Sequence, residues 1–243
     1  GKSALAITIA KNAAASGAKV GIVSLEMSNE QIAHRLLAAE TGVDTHRLRL
    51  HLYSTNEEQR ITQAVGRLSD LVVYLDDNTT QTIKGIASWA RRIQERQKLD
   101  LLVVDYLQLI KAGNDRPDQR VAEVSQISRE LKVLARSLNV PVLACSQVNR
   151  NVEARTSHRP MLSDLRESGS IEQDADVVVF IHREELYVTE NEWNRMAVVG
   201  PDGFLIPYPR EVAELIVAKH RNGPVGSTFL RFNGRLACFE DLT

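Results

Sequence analysis

The sequence predicts an α/β fold: a mostly parallel central sheet flanked by helices, with a β-hairpin at its C-terminal end. The first observation is the stretch 99–110, an apolar run of strand length that is rich in β-branched residues. A strand that is apolar on both faces is typical of the middle of a parallel sheet with helices on each side. The second observation is the alternation of such runs with helical patterns. The third is Asn233-Gly234, a hairpin-turn dipeptide within 227–239.

Length and composition are those of one globular domain, and we expect residues 1–243 to form it. The chain has 243 residues, of which 43% are hydrophobic and 25% charged, so neither disorder nor low complexity describes it. The formal net charge of −1 argues against a broad basic surface for duplex DNA or membranes. A local basic groove remains compatible with this charge.

Disulfide-bonded, zinc-binding and membrane proteins are not favoured by the sequence. Cys145 and Cys238 are far apart, which predicts two buried thiols in a reducing cytosol. The six histidines show no metal-ligand spacing, so we expect no zinc site. No stretch approaches the ~20 apolar residues of a membrane span and no signal peptide is visible. We therefore expect a cytoplasmic protein without membrane contact.

The sequence opens on Gly1-Lys2-Ser3, followed by a helix predicted over 3–16. Gly-Lys-Ser at a helix start is the second half of the phosphate-binding loop G-x-x-x-x-G-K-[ST]. Backbone N–H groups at a helix start face an anion, Lys2 would reach the outer phosphates, and the Ser3 hydroxyl would bind Mg²⁺. The tripeptide alone is also common by chance, and the first half of the loop is not in the sequence.

Glu26 follows a strand predicted over 18–25 and precedes a capping-box pattern at 28–31, which begins a helix that runs to Glu40. At the end of this strand a carboxylate would lie near a γ-phosphate, where it could act as a general base on the attacking water. It could equally be an acidic residue favoured by the dipole at the helix N-terminus.

Two further strand ends carry a polar side chain. Asp105 lies in the central apolar run, and Gln147 follows a strand predicted over 140–145. Ligands of open α/β sheets bind at the carboxyl ends of the strands, so Asp105 could bind a ligand or cap the next turn. Gln147 could contact a γ-phosphate or be a turn residue. The remaining patterns predict small helices in 43–70, a strand over 71–75, a helix over 80–97, and a helix from Asp118.

The segment 148–175 is predicted to contain no long helix or strand, only a short helix near 170–172. It holds several arginines with acidic residues between them. A structureless segment of this length inside a compact domain is usually functional or disordered. The rest of the chain is predicted to form a buried strand over 176–181, a surface excursion over 183–212, a strand over 213–218 and a basic turn over 219–224.

Lys2-Ser3 at a helix start, with Glu26, Asp105 and Gln147 at three strand ends, matches the nucleotide site of a RecA-like P-loop ATPase. Longer motifs are more specific, and with them nearly the whole chain resembles the C-terminal motor domain of the DnaB family of replicative helicases. These motifs are SLEMS at 24–28, VVDYLQ at 103–108, SQVNR at 146–150, DLRESGSIEQDAD at 164–176 and AKHRNGPVG at 218–226.

The resemblance implies a ring-shaped homohexamer that hydrolyses ATP or another NTP with Mg²⁺, moves along single-stranded DNA and separates the duplex. It implies that Glu26 is the catalytic base, that Asp105 holds the metal together with Ser3, and that Gln147 couples the γ-phosphate to the DNA loop. The residues that it places around the phosphates are Gly1, Lys2, Ser3 and Ala4.

The resemblance also implies a DNA-binding loop region at 148–175, in which Arg166, Glu167 and Gly169 follow the DNA backbone in the central channel. It implies that Lys219 and Arg221 act on the nucleotide of the neighbouring subunit, Arg221 as an arginine finger. Such a cation is worth on the order of 10³–10⁵ in rate. Primase and a helicase loader are the partners expected of the full-length protein.

The sequence departs from the family pattern in three places. The family's N-terminal helical domain and linker helix, and the first half of its phosphate loop, match nothing in these 243 residues. The excursion 183–212 looks longer than the family's usual link, as a surface hairpin that could lie at a subunit contact. Two alternatives therefore stay open: another RecA-like ATPase of the recombinase or signalling type, or a fragment that binds DNA or partners without hydrolysis. We expect these 243 residues alone to hydrolyse ATP poorly.

Overall fold

A computed structural model describes residues 1–111, 120–168, 170–200 and 202–242 of the chain. Its helices are α1 (Lys2–Ala15), α2 (Asn29–Thr41), α3 (Thr45–Arg49), α4 (Thr55–Ser69), α5 (Ile83–Gln97), α6 (Arg120–Leu138), α7 (Ile171–Asp174) and α8 (Glu190–Met196). Its strands are β1 (Val20–Ser24), β2 (Val73–Asp76), β3 (Leu101–Asp105), β4 (Val142–Ala144), β5 (Val177–His182), β6 (Val212–His220), β7 (Gly226–Asn233) and β8 (Cys238–Asp241).

The first four strands form a parallel sheet in the order β2-β1-β3-β4, which confirms the predicted fold class. The central strand is β3, as the apolar run predicts, and it pairs with β1 on one side and β4 on the other. The strand is shorter than the run, because a 3-10 helix over Leu107–Leu109 follows it. Asp105 is consequently the last residue of β3 and pairs with Ser24, the last residue of β1.

Alternate residues of β3 enter two different cores, which explains why the strand is apolar on both faces. Val103 packs with α1 and α2 on one side of the sheet. Leu102 and Val104 pack with α5 and α6 on the other side. Gly21 on β1 allows a close approach from α5, because a Cβ at that position would lie 3.1 Å from the Trp89 ring. The parallel sheet is thus the middle layer of three.

The last four strands form an antiparallel sheet in the order β5-β6-β7-β8. The predicted C-terminal hairpin is confirmed as β7 and β8. The prediction of a fully buried strand at 176–181 is wrong: Val178 and Phe180 are buried, but Val177 and Val179 on the opposite face are 47% and 43% exposed. An antiparallel sheet needs only one face on the core, and Phe180 reaches the same core as α6.

Residues 183–212 lie on the surface, as the sequence predicts. They contain a 3-10 helix over Glu184–Leu186, then α8, then an isolated antiparallel bridge between Val199 and Leu205. The segment 148–175 holds only short elements, again as predicted: two 3-10 helices, Arg150–Ala154 and Leu162–Ser168, and α7. Among the described residues no helix is long and apolar enough to span a membrane.

Truncation of the central strand tests the layered core. We expect Leu102→Ala to lower the free energy of unfolding by about 2–5 kcal/mol, because Leu102 is fully buried and its loss leaves a cavity. The matched control is Leu52→Ala, whose side chain is 59% exposed, with an expected change within about 0.5 kcal/mol. Denaturant unfolding measures both, and equal effects would contradict the placement of β3.

Candidate functional site

Three of the predicted site residues meet at one edge of the parallel sheet. Ser24 and Asp105 are partners at the ends of β1 and β3, and Val104 pairs with Ala144 at the end of β4. Glu26 lies two residues beyond β1 and Gln147 three residues beyond β4, so both lie past the same carboxyl edge as Asp105. This is the edge at which open α/β sheets bind their ligands.

Asp105 is a buried carboxylate with unused bonding capacity. It is 4% exposed, and among the described residues its Oδ1 has no hydrogen-bond partner. A buried, unpartnered carboxylate oxygen costs free energy unless a ligand satisfies it, and Mg²⁺ prefers such oxygens. The Cys145 thiol lies beside it, and burial, then the Asp105 charge, raise the pKa of that thiol. The residue therefore suits a cation that arrives with its ligand.

The N-terminus of α1 faces the same edge. Gly1 precedes the helix, and none of the described side chains caps it. The Lys2 ammonium lies 5.9 Å from the centre of the Tyr106 ring, directly after Asp105. Ser3 and Ala4 occupy the first turn, where Ala4 is buried against the antiparallel sheet. Free N–H groups, a lysine and a serine opposite a buried carboxylate can bind an anion together with its metal ion.

Sequence reasoning missed two arginines near this site. Burial lowers the pKa of the half-buried Arg35 guanidinium, and the charges of Asp105 and Glu26 oppose that shift. Arg35 and Arg183 also add to the positive potential at Gly1. The sequence offered one sign for Arg35, which falls beside Ile32 and Leu36 in the apolar stripe of α2. Arg183 gave no comparable sign, because its position depends on the end of β5.

Gln147 is exposed, and its backbone is held by Gln108. The Gln147 N–H donates to Gln108 Oε1 at 3.2 Å, and Gln108 Nε2 donates to the Gln147 carbonyl at 3.3 Å and to Ser146 Oγ at 2.9 Å. Gln108 follows β3, so this amide pair ties the loops after β3 and β4 together. Sequence reasoning quoted Gln108 within a motif but gave it no role.

Lys219 and Arg221 do not lie with the other site residues. Ile181 lies beside Gly1, since a Cβ on Gly1 would be 3.8 Å from its Cγ2, and Ile181 pairs with Leu215 on β6. Arg221 is six residues beyond Leu215, about 20 Å along an extended strand. An arginine side chain does not span that distance, so Arg221 cannot reach the N-terminus of its own α1.

The predicted DNA-contacting residues cannot be placed, because Gly169 and the side chains of Arg166 and Glu167 lie outside the described residues. The segment around them is held by ion pairs. Arg155 pairs with the buried Asp164, and Arg159 binds Glu214 through two hydrogen bonds of 3.1 and 2.6 Å. Among the described residues no group of three or more His, Cys, Asp or Glu is placed to hold a metal ion.

The fold and the site together define a RecA-like ATPase domain. A solved structure described as the ATPase domain of a related protein matches with a TM-score of 0.86 and 33% identity, over 98% of this chain and 79% of that one. The RadB recombinase matches with a TM-score of 0.54 and 17% identity, which shows a common fold alone.

The chain belongs to the DnaB-like helicase C-terminal domain family, whose model matches residues 1–241. The replicative DNA helicase DnaB of Geobacillus stearothermophilus is 42% identical over 233 residues, covering 96% of this chain and 48% of its own length. That of Leifsonia xyli subsp. xyli is 43% identical over 243 residues, covering all of this chain and 50% of its own length.

A structure described as a DnaB-like replicative helicase and its interactions with primase matches with a TM-score of 0.87 and 33% identity, over all of this chain and 55% of that one. The chain thus spans about half the length of the curated relatives it matches. The resemblance read from the sequence motifs is confirmed at the level of the family.

Proposed function

We propose that this chain is the motor domain of a hexameric replicative DNA helicase in the cytoplasm, which uses ATP or another NTP to move along single-stranded DNA and unwind the duplex. Family membership over residues 1–241 supports the class. The observation that carries the proposal is the separation of Arg221 from Lys2 by about 20 Å within one copy. A nucleotide site that uses both residues must lie between two copies, as in a ring.

The phosphates of the nucleotide bind at the N-terminus of α1. The backbone of Gly1 to Ala4 and the Lys2 ammonium face them, and Mg²⁺ would be held by the Ser3 hydroxyl and Asp105. The unpartnered Oδ1 of Asp105 supports this assignment. When bound, the metal ion neutralises charge on the phosphate oxygens.

Glu26 acts as the general base. It is an exposed carboxylate that follows β1, and it accepts a proton from the water that attacks the γ-phosphorus. Gln147 contacts the γ-phosphate, and its contact with Gln108 holds the loop that leads into the segment 148–175. This path connects the nucleotide to the DNA-binding region.

The DNA-binding region is 148–175, in which Arg166, Glu167 and Gly169 follow the backbone of one strand. Phosphate contacts of this kind need no broadly basic surface, which agrees with the net charge of −1. Lys219 and Arg221 reach the nucleotide of the neighbouring copy. Primase and a helicase loader are the proposed partners of the whole protein, and residues 1–243 are one domain of it.

The test uses the whole protein that contains this chain. We expect NTP hydrolysis stimulated by single-stranded DNA and NTP-dependent unwinding of a forked duplex, with no homologous strand exchange. Lys2→Ala is expected to lose both activities, because the cation that faces the phosphates is gone. Lys19→Ala is the matched control: Lys19 donates to the Gln97 carbonyl and lies away from the site. Strand exchange without unwinding would replace the helicase with a recombinase.

A further inference from the structure

We infer that Asp176, held in place by Lys132, is the positioning residue that orients Arg221 toward the neighbouring subunit. The inference rests on the proposed function, in which Arg221 acts in trans. Three segments that are distant in sequence meet at this point: α6, the junction between α7 and β5, and the turn after β6. No sequence motif required the contact between Lys132 and Asp176.

The backbone places Asp176 directly beside Arg221. Asp176 precedes β5, whose first residue Val177 pairs with His220, the last residue of β6. The Arg221 N–H donates to the Asp176 carbonyl at 2.9 Å. The two side chains therefore leave the sheet side by side, at the end of β6 that is far from the N-terminus of α1.

The side chains extend this backbone contact into a network. Arg221 Nη1 lies 3.4 Å from Asp176 Oδ1, and Arg221 Nη2 donates to the Gln173 carbonyl at 2.7 Å. Lys132 on α6 forms an ion pair with the other oxygen, Asp176 Oδ2. The Lys132 hydrogen bond, followed by the charges of Lys132 and Arg221, lowers the pKa of Asp176 below its usual value. The carboxylate stays charged between its two cations.

This arrangement suits an arginine that acts outside its own subunit. The guanidinium carries five N–H donors, and the two contacts described above leave donors for a phosphate oxygen. Arg221 is 45% exposed, so its free edge faces solvent or a neighbouring copy. A long side chain held at two points loses less freedom when it engages a ligand, which is the advantage of preorganisation.

The same network touches the segment that carries the DNA-binding region. Lys219 donates to the Glu172 carbonyl and Arg221 to the Gln173 carbonyl, both on α7. α7 follows Gly169 by one residue. A shift of α7 would therefore move both cations together, and Asp176 is the side chain that holds Arg221 during such a shift.

The decisive variant is Asp176→Asn in the whole protein. We expect kcat for NTP hydrolysis to fall between about 10- and 100-fold with nucleotide affinity unchanged, because a displaced guanidinium misses the phosphoryl group while the α1 site stays intact. Lys132→Met is expected to change kcat in the same direction by less, because Asp176 keeps one cation. Glu211→Gln is the matched control, since it removes a similar exposed carboxylate that pairs with Arg231 at 3.0 Å.

Two further measurements separate positioning from a general loss of structure. Combined with Arg221→Ala, Asp176→Asn should add no further loss, and Asp176→Asn subunits should regain hydrolysis when mixed with Glu26→Gln subunits, because the two defects lie on opposite sides of the interface. Full activity of Asp176→Asn, additivity with Arg221→Ala, or failure to complement would overturn the inference and leave the proposed function intact. Absence of hydrolysis in the wild-type protein would instead overturn the proposed function. If Asp176→Asn does not fold, Lys132→Met carries the same three comparisons.

Discussion

Replacement of Glu26 by glutamine is expected to reduce kcat for NTP hydrolysis by about 10²–10⁴-fold and to leave nucleotide affinity unchanged. Glutamine keeps the shape of the side chain but cannot accept the proton of the attacking water. The phosphates still find Lys2 and the N-terminus of α1. Steady-state turnover and equilibrium binding of a fluorescent nucleotide measure the two quantities separately.

Glu30→Gln is the matched control for this variant. Glu30 is an exposed acidic residue in the first turn of α2, just beyond Glu26, and it senses the same helix dipole. If Glu26 only stabilised that helix, both variants would lower the free energy of unfolding by about 0.3–1 kcal/mol and both would keep full turnover. Equal turnover of the two variants would therefore remove Glu26 from the catalytic machinery.

Replacement of Arg221 by alanine is expected to reduce kcat by about 10³–10⁵-fold, again with nucleotide affinity unchanged. The guanidinium offsets charge that develops on the transferring phosphoryl group, and alanine offers no substitute for it. Arg231→Ala is the control, because Arg231 is an exposed arginine on the same antiparallel sheet, paired with Glu211. Hydrolysis is measured in the presence of single-stranded DNA.

Retained turnover of Arg221→Ala would contradict the trans role, and a parallel loss in the Arg231→Ala control would show a general effect of charge. A loss of nucleotide binding would instead place Arg221 at the site of its own subunit. The distance of about 20 Å along β6 argues against that outcome.

The central sheet was predictable from the sequence, because its strands are local patterns. The run at 101–105 is apolar on both faces, and residues of both faces are buried in the structure. The capping box at Ser28 forms as the pattern predicts, with hydrogen bonds in both directions between Ser28 and Gln31. Polar residues at strand ends follow from the same logic, which is why Glu26, Asp105 and Gln147 could be named from spacing.

The rest depends on contacts between distant segments, which spacing does not reveal. The half-buried state of β5 follows from its pairing with β6 in an antiparallel sheet, and 29 residues separate the two strands. Arg35 and Arg183 approach the nucleotide site only through the packing of α2 and the end of β5. The contacts of Asp176 join α6 to the turn after β6. Sequence motifs identified Arg221, but not what holds it.

The site between two copies is tested most directly by mixing Glu26→Gln and Arg221→Ala subunits. Each variant alone forms only defective sites. In randomly mixed rings about one interface in four pairs an intact Glu26 with an intact Arg221, because a heterologous interface takes one face from each copy. DNA-stimulated hydrolysis is therefore expected to reappear on mixing and to rise toward roughly a quarter of the wild-type rate at equal amounts. Mixtures that remain as inactive as the separate variants, although mixed rings form, would contradict a nucleotide site shared between neighbouring subunits.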